Sequence, residues 1–167
     1  MIDFTLPAFE LAPRLLGCFL CIKDGDSVRR LVINETEAYY GEDDTACHAH
    51  KGMTERTKPM FGSGGIAYIY LCYGMYEMLN VVSGPEGHAE AVLIRGAGKY
   101  NGPGKLTKAL GITRALNTCD LSGASPSDLW IEDREDAPEF ETSPRVGIAY
   151  AEKEDRERLW RFYTKTK

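Results

Sequence analysis

Two runs of β-branched and aromatic residues, each folding back on itself at a glycine, fix most of what this chain can become. Cys18 to Lys23 and Val28 to Tyr40 flank Asp24-Gly25-Asp26, and Ile66 to Tyr73 and Tyr76 to Ser83 flank Gly74-Met75. Strands joined by so few residues must pair antiparallel, because a parallel neighbour needs a much longer crossover. Gly84-Pro85-Glu86-Gly87 marks another turn, and Ala89 to Arg95 reads as a further strand. Apolar residues at helical spacing from Phe9 to Leu16 predict a short helix ending near Gly17, and Gly102-Pro103-Gly104 opens a second over Lys105 to Leu110. Residues 41 to 65, polar and glycine-rich, read as a long loop. Leu129 to Ile131 predicts a short strand inside the acidic stretch Ser122 to Ser143, with closing strands at Arg145 to Tyr150 and Leu159 to Tyr163. Antiparallel strands with a few helices define an α+β class, and without repeats or linkers residues 1–167 are expected to form a single domain.

Composition bears on compartment and partner. Five cysteines, an odd number, suit a reducing compartment better than a disulfide framework. The first ten residues lack the basic start and apolar run of a signal peptide, and no apolar stretch approaches the ~20 residues that span a bilayer. A cytoplasmic protein without a membrane partner is the expectation. The net charge of −5 counts against nucleic acid, where phosphate neutralisation supplies most of the non-specific affinity. The charges are uneven, however. Basic residues gather at Arg29/Arg30, Lys51/Arg56/Lys58, Lys99/Lys105/Lys108 and Arg158/Arg161/Lys165/Lys167, and acidic ones at Glu42 to Asp44, Glu132 to Glu141 and Glu152 to Asp155. A basic face opposed to an acidic back would reconcile the total with a DNA partner; solvated loops are the plain alternative.

Period two along Val28 to Tyr40 puts Glu35, Glu37 and Tyr39 on one strand face. A carboxylate beside a stacking ring suits a pocket for a flat base, although either glutamate alone also fits a solvated strand. The second hairpin is dense in tyrosine, with Tyr68, Tyr70, Tyr73 and Tyr76. Base stacking on such rings is worth ~1–3 kcal/mol per base. Tyr68 suits an ordinary sheet core, whereas Tyr73, beside the turn, has little sheet to pack on and is placed as a wedge into stacked bases would be. Gly102-Pro103-Gly104-Lys105-Leu106 could offer backbone N–H groups to a phosphate, yet lacks P-loop spacing and reads equally as a helix entry. Cys18 and Cys21 with Cys47 and His48 or His50 have zinc-ligand chemistry, but residues three apart on a strand face opposite ways and nothing in the sequence closes a tetrahedron.

Taken in order, Ala12-Pro13-Arg14-Leu15-Leu16-Gly17, Glu35-Thr36-Glu37-Ala38-Tyr39, a histidine at position 48, Met60-Phe61-Gly62, Tyr68-Ile69-Tyr70-Leu71-Cys72-Tyr73-Gly74-Met75, Asn80 and Gly102 to Leu106 resemble the alkyladenine (3-methyladenine) DNA glycosylase family over nearly the whole chain. The resemblance implies one compact α+β domain whose antiparallel sheet carries a protruding, DNA-probing hairpin. It implies a monomeric, monofunctional glycosylase of base excision repair that hydrolyses the N-glycosidic bond of alkylated, and by extension deaminated, purines flipped out of double-stranded DNA. In a bacterial or archaeal cell such an enzyme would lie at the nucleoid. Carried over by position, Glu37 would orient and deprotonate the attacking water with Arg95 beside it. Tyr39 and His48 would form one wall of the base pocket and Tyr70 the other, Asn80 would crowd a 2-amino group, and Tyr73 would fill the gap left by the flipped nucleotide. No cofactor and no metal are implied.

Two departures stand out. Only six residues separate Arg95 from Gly102, where family members carry a longer, basic segment, and Gly96 replaces a usual alanine. A non-catalytic module stacking single-stranded nucleic acid on the tyrosine hairpin, and a zinc-stabilised interaction domain, are the rival readings.

Overall fold

The computed structural model describes residues 1–165; Lys167, of the last basic cluster, lies outside them. Nine strands among the described residues build one curled sheet around β2 (Ser27–Tyr40). The N-terminal half of β2 pairs antiparallel with β1 (Phe19–Asp24), which in turn pairs with β7 (Leu129–Glu132). From Ile33 onward β2 pairs with β5 (Glu90–Ala97), and over Glu35 to Glu37 its other edge takes β9 (Arg161–Thr164). β5 continues to β4 (Tyr76–Val82) and β4 to β3 (Ala67–Cys72), which gives the order β3-β4-β5-β2-β1-β7. The short β6 (Tyr100–Asn101) folds back on β5, and β8 (Phe140–Ser143) pairs with β9.

Register assigns the two faces. Glu37 lies opposite Leu93, Leu93 opposite Asn80, and Asn80 opposite Tyr68, so these four form one row across β2, β5, β4 and β3 on one face. The alternate residues Ala38, Val92, Val81 and Ala67 form the next row and point the other way into the main core. That core is closed by α1 (Ala8–Leu15) and α2 (Pro103–Leu110). Ala8, Leu11, Ala12 and Leu15 of α1 are fully buried at the i, i+3, i+4, i+7 spacing, as Leu106 and Leu110 of α2 are on its inner side. A cap fixes the entry to α1: the Ala8 N–H donates to the buried Glu90 Oε1 at 2.8 Å, a carboxylate where the helix dipole favours one. Helices therefore cover one side of the sheet and leave the Glu37 side to be roofed by loops.

The shortened link after Arg95 is now explicit. β5 and β6 join at Gly98-Lys99, with Gly98 at φ +58°, and the Asn34 amide clasps this turn by donating to the Gly98 carbonyl at 2.9 Å. A Cβ at position 96 would stand 2.6 Å from Asn34 Oδ1, so glycine there accommodates the side chain that holds the tight turn.

Three expectations are corrected. Arg145 to Tyr150 is not a strand: Pro144 removes a ladder donor, Gly147 sits at φ +75°, and the buried Arg145 side chain is drawn inward by Asp44. A further strand that pairs with β9 comes earlier, at Phe140–Ser143, at the end of the acidic stretch where only Leu129 to Ile131 was expected as a strand. Thirdly, a short α3 (Lys153–Glu157) was not anticipated; the long loop expected over residues 41–65 is there, with 3-10 turns at Gly41–Asp43, His48–Lys51 and Lys58–Phe61.

Candidate active site

The loop-covered face holds a cleft of about 620 Å³, within the usual size of a small-molecule site. Its floor is the sheet row described above, with Tyr39, Ala91, Leu93 and Arg95 from β2 and β5 and Tyr68, Tyr70, Met78 and Asn80 from the hairpin. The His48 turn forms one side, and the segment Val146 to Ile148 with Tyr150 the other.

Glu37 is fully buried beside this floor. Its Oε1 accepts from the Tyr39 hydroxyl at 2.8 Å and lies 3.8 Å from Arg95 Nη1; its Oε2 accepts from the Val146 N–H at 2.7 Å. Burial pushes the Glu37 carboxyl above its ordinary value, while the Arg95 charge, the Val146 amide, the Tyr39 hydroxyl and the Arg145 charge pull it back without cancelling the burial. Arg95 is aimed by Glu35, whose Oε2 accepts from Arg95 Nε at 2.7 Å and from Arg161 Nε at 3.0 Å. Burial pulls the Glu35 carboxyl up, but the bonds from Arg161 and then Arg95 outweigh it and hold the group below its usual range. The shared face predicted for Glu35, Glu37 and Tyr39 is therefore occupied by one connected network, even though β2 bulges at Asn34 and Glu35.

The aromatic walls are close. His48 meets Tyr70 edge-on with ring centres 4.5 Å apart, Tyr70 and Tyr68 are tilted at 5.4 Å, and His48 Nδ1 lies 3.5 Å from the Tyr68 hydroxyl. Part of the His48 ring stays open to solvent, yet burial and then the Arg56 charge lower its pKa, so the imidazole is neutral at pH 7. Burial raises the Tyr68 hydroxyl to about 12 and raises Tyr39 and Tyr70 as well, which keeps all three phenols protonated. Asn80 is buried at the rear, its amide nitrogen donating to the Tyr68 carbonyl at 3.2 Å.

Tyr73 occupies the three-residue tip of the β3–β4 hairpin, at φ +52° and 87% exposed, on the rim of the cleft. Non-glycine residues seldom hold this conformation, and here it turns a large ring outward with nothing packed over it. The structure thus brings Glu37, Arg95, Tyr39, His48, Tyr70 and Asn80 around one cleft with Tyr73 at its edge. Tyr68, assigned to the sheet core, is buried there but also lines the cleft.

Four participants carried no sequence signal strong enough to single them out. Arg56 lies 5.0 Å over the Tyr70 ring, Arg161 joins Glu35, and the Val146 amide and Tyr150 come from a segment read as a strand. The candidate zinc ligands are dispersed. Cys18 lies against Arg14 and Asp133 and Cys21 against the Phe19 carbonyl, while Cys47 packs under the cleft; all five cysteines are free, and no three His, Cys, Asp or Glu side chains cluster among the described residues.

Known proteins identify the family. The profile of the methylpurine-DNA glycosylase family matches residues 2–100 and 97–167, two stretches that meet at the tight β5–β6 turn. A protein of Methanocella arvoryzae named "Putative 3-methyladenine DNA glycosylase" is 44% identical over 182 aligned residues, covering 97% of this chain and 90% of that protein. Proteins of the same name from Sodalis glossinidius and Myxococcus xanthus are 47% and 43% identical, covering 78% and 89% of this chain and 78% and 80% of their own lengths. The first alignment is longer than the 167-residue chain itself, so that relative carries segments this one lacks. The chain belongs to the methylpurine-DNA glycosylase family.

Proposed function

We propose that this protein is a monofunctional DNA glycosylase that hydrolyses the N-glycosidic bond of alkylated purines flipped out of duplex DNA, as a step of base excision repair. The observation that carries the reading is Glu37: a buried carboxylate held by two hydrogen-bond donors, with Arg95 3.8 Å away, beside the floor of a cleft walled by Tyr39, His48 and Tyr70.

Cleavage passes through an oxocarbenium-like transition state at the sugar. An N3- or N7-alkylated purine is already cationic, so the C1′–N bond breaks with both electrons leaving on the base, which departs neutral. Water adds to C1′, and its proton goes to Glu37. A carboxylate raised by burial is a stronger base than an exposed one, while the Arg95 charge and its hydrogen bonds from Val146 and Tyr39 favour its ionised form. The tyrosines and His48 sandwich the flipped base, and Tyr73 enters the duplex where the nucleotide left. No lysine lines the cleft among the described residues, which favours water over an amine as nucleophile.

Acting as a monomer, the chain would take double-stranded DNA carrying alkylated purines as its partner, in the cytoplasm or at the nucleoid. The test is release of free base from methylated duplex DNA. Wild type is expected to release 3-methyladenine while Glu37→Gln binds the lesion and releases none. Equal release by both proteins would remove Glu37 from the chemistry.

A further inference from the structure

Behind the Tyr39 wall lies a buried ion pair, neither member of which lines the cleft. Arg145 is 0% and Asp44 1% exposed in their side chains. The Arg145 guanidinium forks onto the carboxylate, with Nη1 donating to Asp44 Oδ2 at 2.6 Å and Nη2 to Oδ1 at 2.9 Å. Nη1 also donates to the Ala38 carbonyl, next to Glu37, at 2.9 Å, and Nη2 to the Asp155 carbonyl at 3.1 Å. The guanidinium lies 4.9 Å over the Tyr39 ring and 5.1 Å from that of Trp160. On the other side Asp44 accepts from the Tyr40 N–H at 2.9 Å and the Ala46 N–H at 3.1 Å, which shapes the turn leading to His48.

Burying two full charges is expensive, and a well-packed apolar pair of similar volume is often as stable. Stability alone gives no reason to favour this pair. Its placement does. Arg145 is the residue before Val146, whose N–H holds Glu37 Oε2 at 2.7 Å, and the Arg145 bond to the Ala38 carbonyl fixes that segment relative to the strand bearing Glu37. Building on the proposed reaction, we propose that Asp44 and Arg145 are positioning residues: the pair locks the Val146 amide onto Glu37 and fixes the His48 turn relative to it, so that both sides of the cleft move as one body.

Groups of several elements face Glu37: Tyr39 and Glu35 on its own strand, Arg95 on β5, Arg161 opposite it on β9, and Arg145 and Tyr150 from the loop. Of these, the pair alters the amide bond and the Arg145 charge together. The test compares wild type, Arg145→Lys and the double variant Asp44→Asn/Arg145→Met, which leaves no stranded charge. Three quantities are read: single-turnover release of 3-methyladenine against pH, lesion-DNA affinity, and the ¹³C titration of the Glu37 carboxyl. Loosening the carboxylate should slow release about 10- to 100-fold with affinity nearly unchanged, since small misplacements near reacting atoms cost on this order. In the double variant the acid limb and the Glu37 titration should both move to higher pH. Unchanged rate and titration, with only melting temperature lowered, overturn the proposal. Should wild type release no base, the reaction reading fails by itself; the titration then still decides, an upward shift sustaining the positioning role and an unmoved one ending it. If the double variant does not melt cooperatively, Arg145→Lys, which keeps the charge and loses the fork, is judged by its release rate alone.

Discussion

The Tyr39 hydroxyl donates to Glu37 Oε1 over 2.8 Å, so the ring that walls the cleft also supports the carboxylate buried beside its floor. Tyr39→Phe separates the two duties. The ring stays while a hydrogen bond to a charged acceptor, worth about 1.5–3 kcal/mol, is lost. That bond lowers the Glu37 pKa, so the acid limb of base release should move to higher pH and the rate at pH 7 should fall about tenfold, by the same measure. Affinity for lesion DNA should change little, because stacking persists. A pH–rate profile superimposable on wild type would mean that the hydroxyl does not support the reacting carboxylate.

The same burial makes Glu37 a liability to the fold. A carboxyl whose folded-state pKa lies above its unfolded value, about 4.3, binds protons more readily when folded. Stability therefore falls as pH rises from that value to the raised one and stays reduced above it. Glu37→Gln has no proton to lose. Its melting temperature minus that of wild type should grow from pH 4 to pH 8, with about 1 kcal/mol appearing as ~2–4 °C in a chain of this size. Calorimetry across the range checks this, and a flat difference would show that the fold does not penalise the ionised carboxylate.

The hairpin tip makes the opposite trade. Tyr73 holds a left-handed conformation that costs a side-chain-bearing residue ~1–2 kcal/mol, and at 87% exposed its ring returns little packing. Tyr73→Gly relieves that strain, partly offset by the greater freedom of glycine in the unfolded chain. The expected result is a melting temperature unchanged or raised, with weaker lesion binding and slower flipping, read by fluorescence of a 2-aminopurine placed beside the lesion. A variant that is destabilised and flips normally would assign the ring to packing and not to DNA.

Much of this arrangement could be read from the chain because it is local. Alternation along β2 announced Glu35, Glu37 and Tyr39 on one face, and the glycine-centred turn announced Tyr73 at a tip; both depend on strand geometry within a few residues. What stayed hidden depends on distant partners. Nothing near Arg145 in sequence indicates that Asp44, some hundred residues earlier, will draw it into the interior and abolish a strand whose apolar pattern looked sound. Likewise, Arg161 alternates acceptably as a surface residue until β9 docks beside β2 and presents it to Glu35. The whole network around Glu37 is visible once tertiary pairing is known; before that, strand alternation showed only its β2 members, and the family resemblance added Arg95.

The chemistry of the walls also limits which bases can leave. A neutral purine such as hypoxanthine needs a proton at the moment of cleavage, and a well-placed general acid contributes about 10²–10⁴ in rate. Among the described residues lining the cleft, His48 is neutral at pH 7, burial raises the pKa of the Tyr39, Tyr68, Tyr70 and Tyr150 phenols and of the Cys47 thiol, and the guanidiniums of Arg56 and Arg95 do not give up protons. Glu37 is committed to the water. The enzyme should therefore excise 3-methyladenine on the order of a hundredfold faster than hypoxanthine at pH 7.5, in keeping with the missing acid. The informative range is pH 6 to 8, well above the His48 pKa of about 4. Over it the ratio should narrow on acidification, as solvent protons begin to substitute for the acid. Equal rates at pH 7.5, measured on matched duplexes in single turnover, would require a proton donor that this cleft does not present.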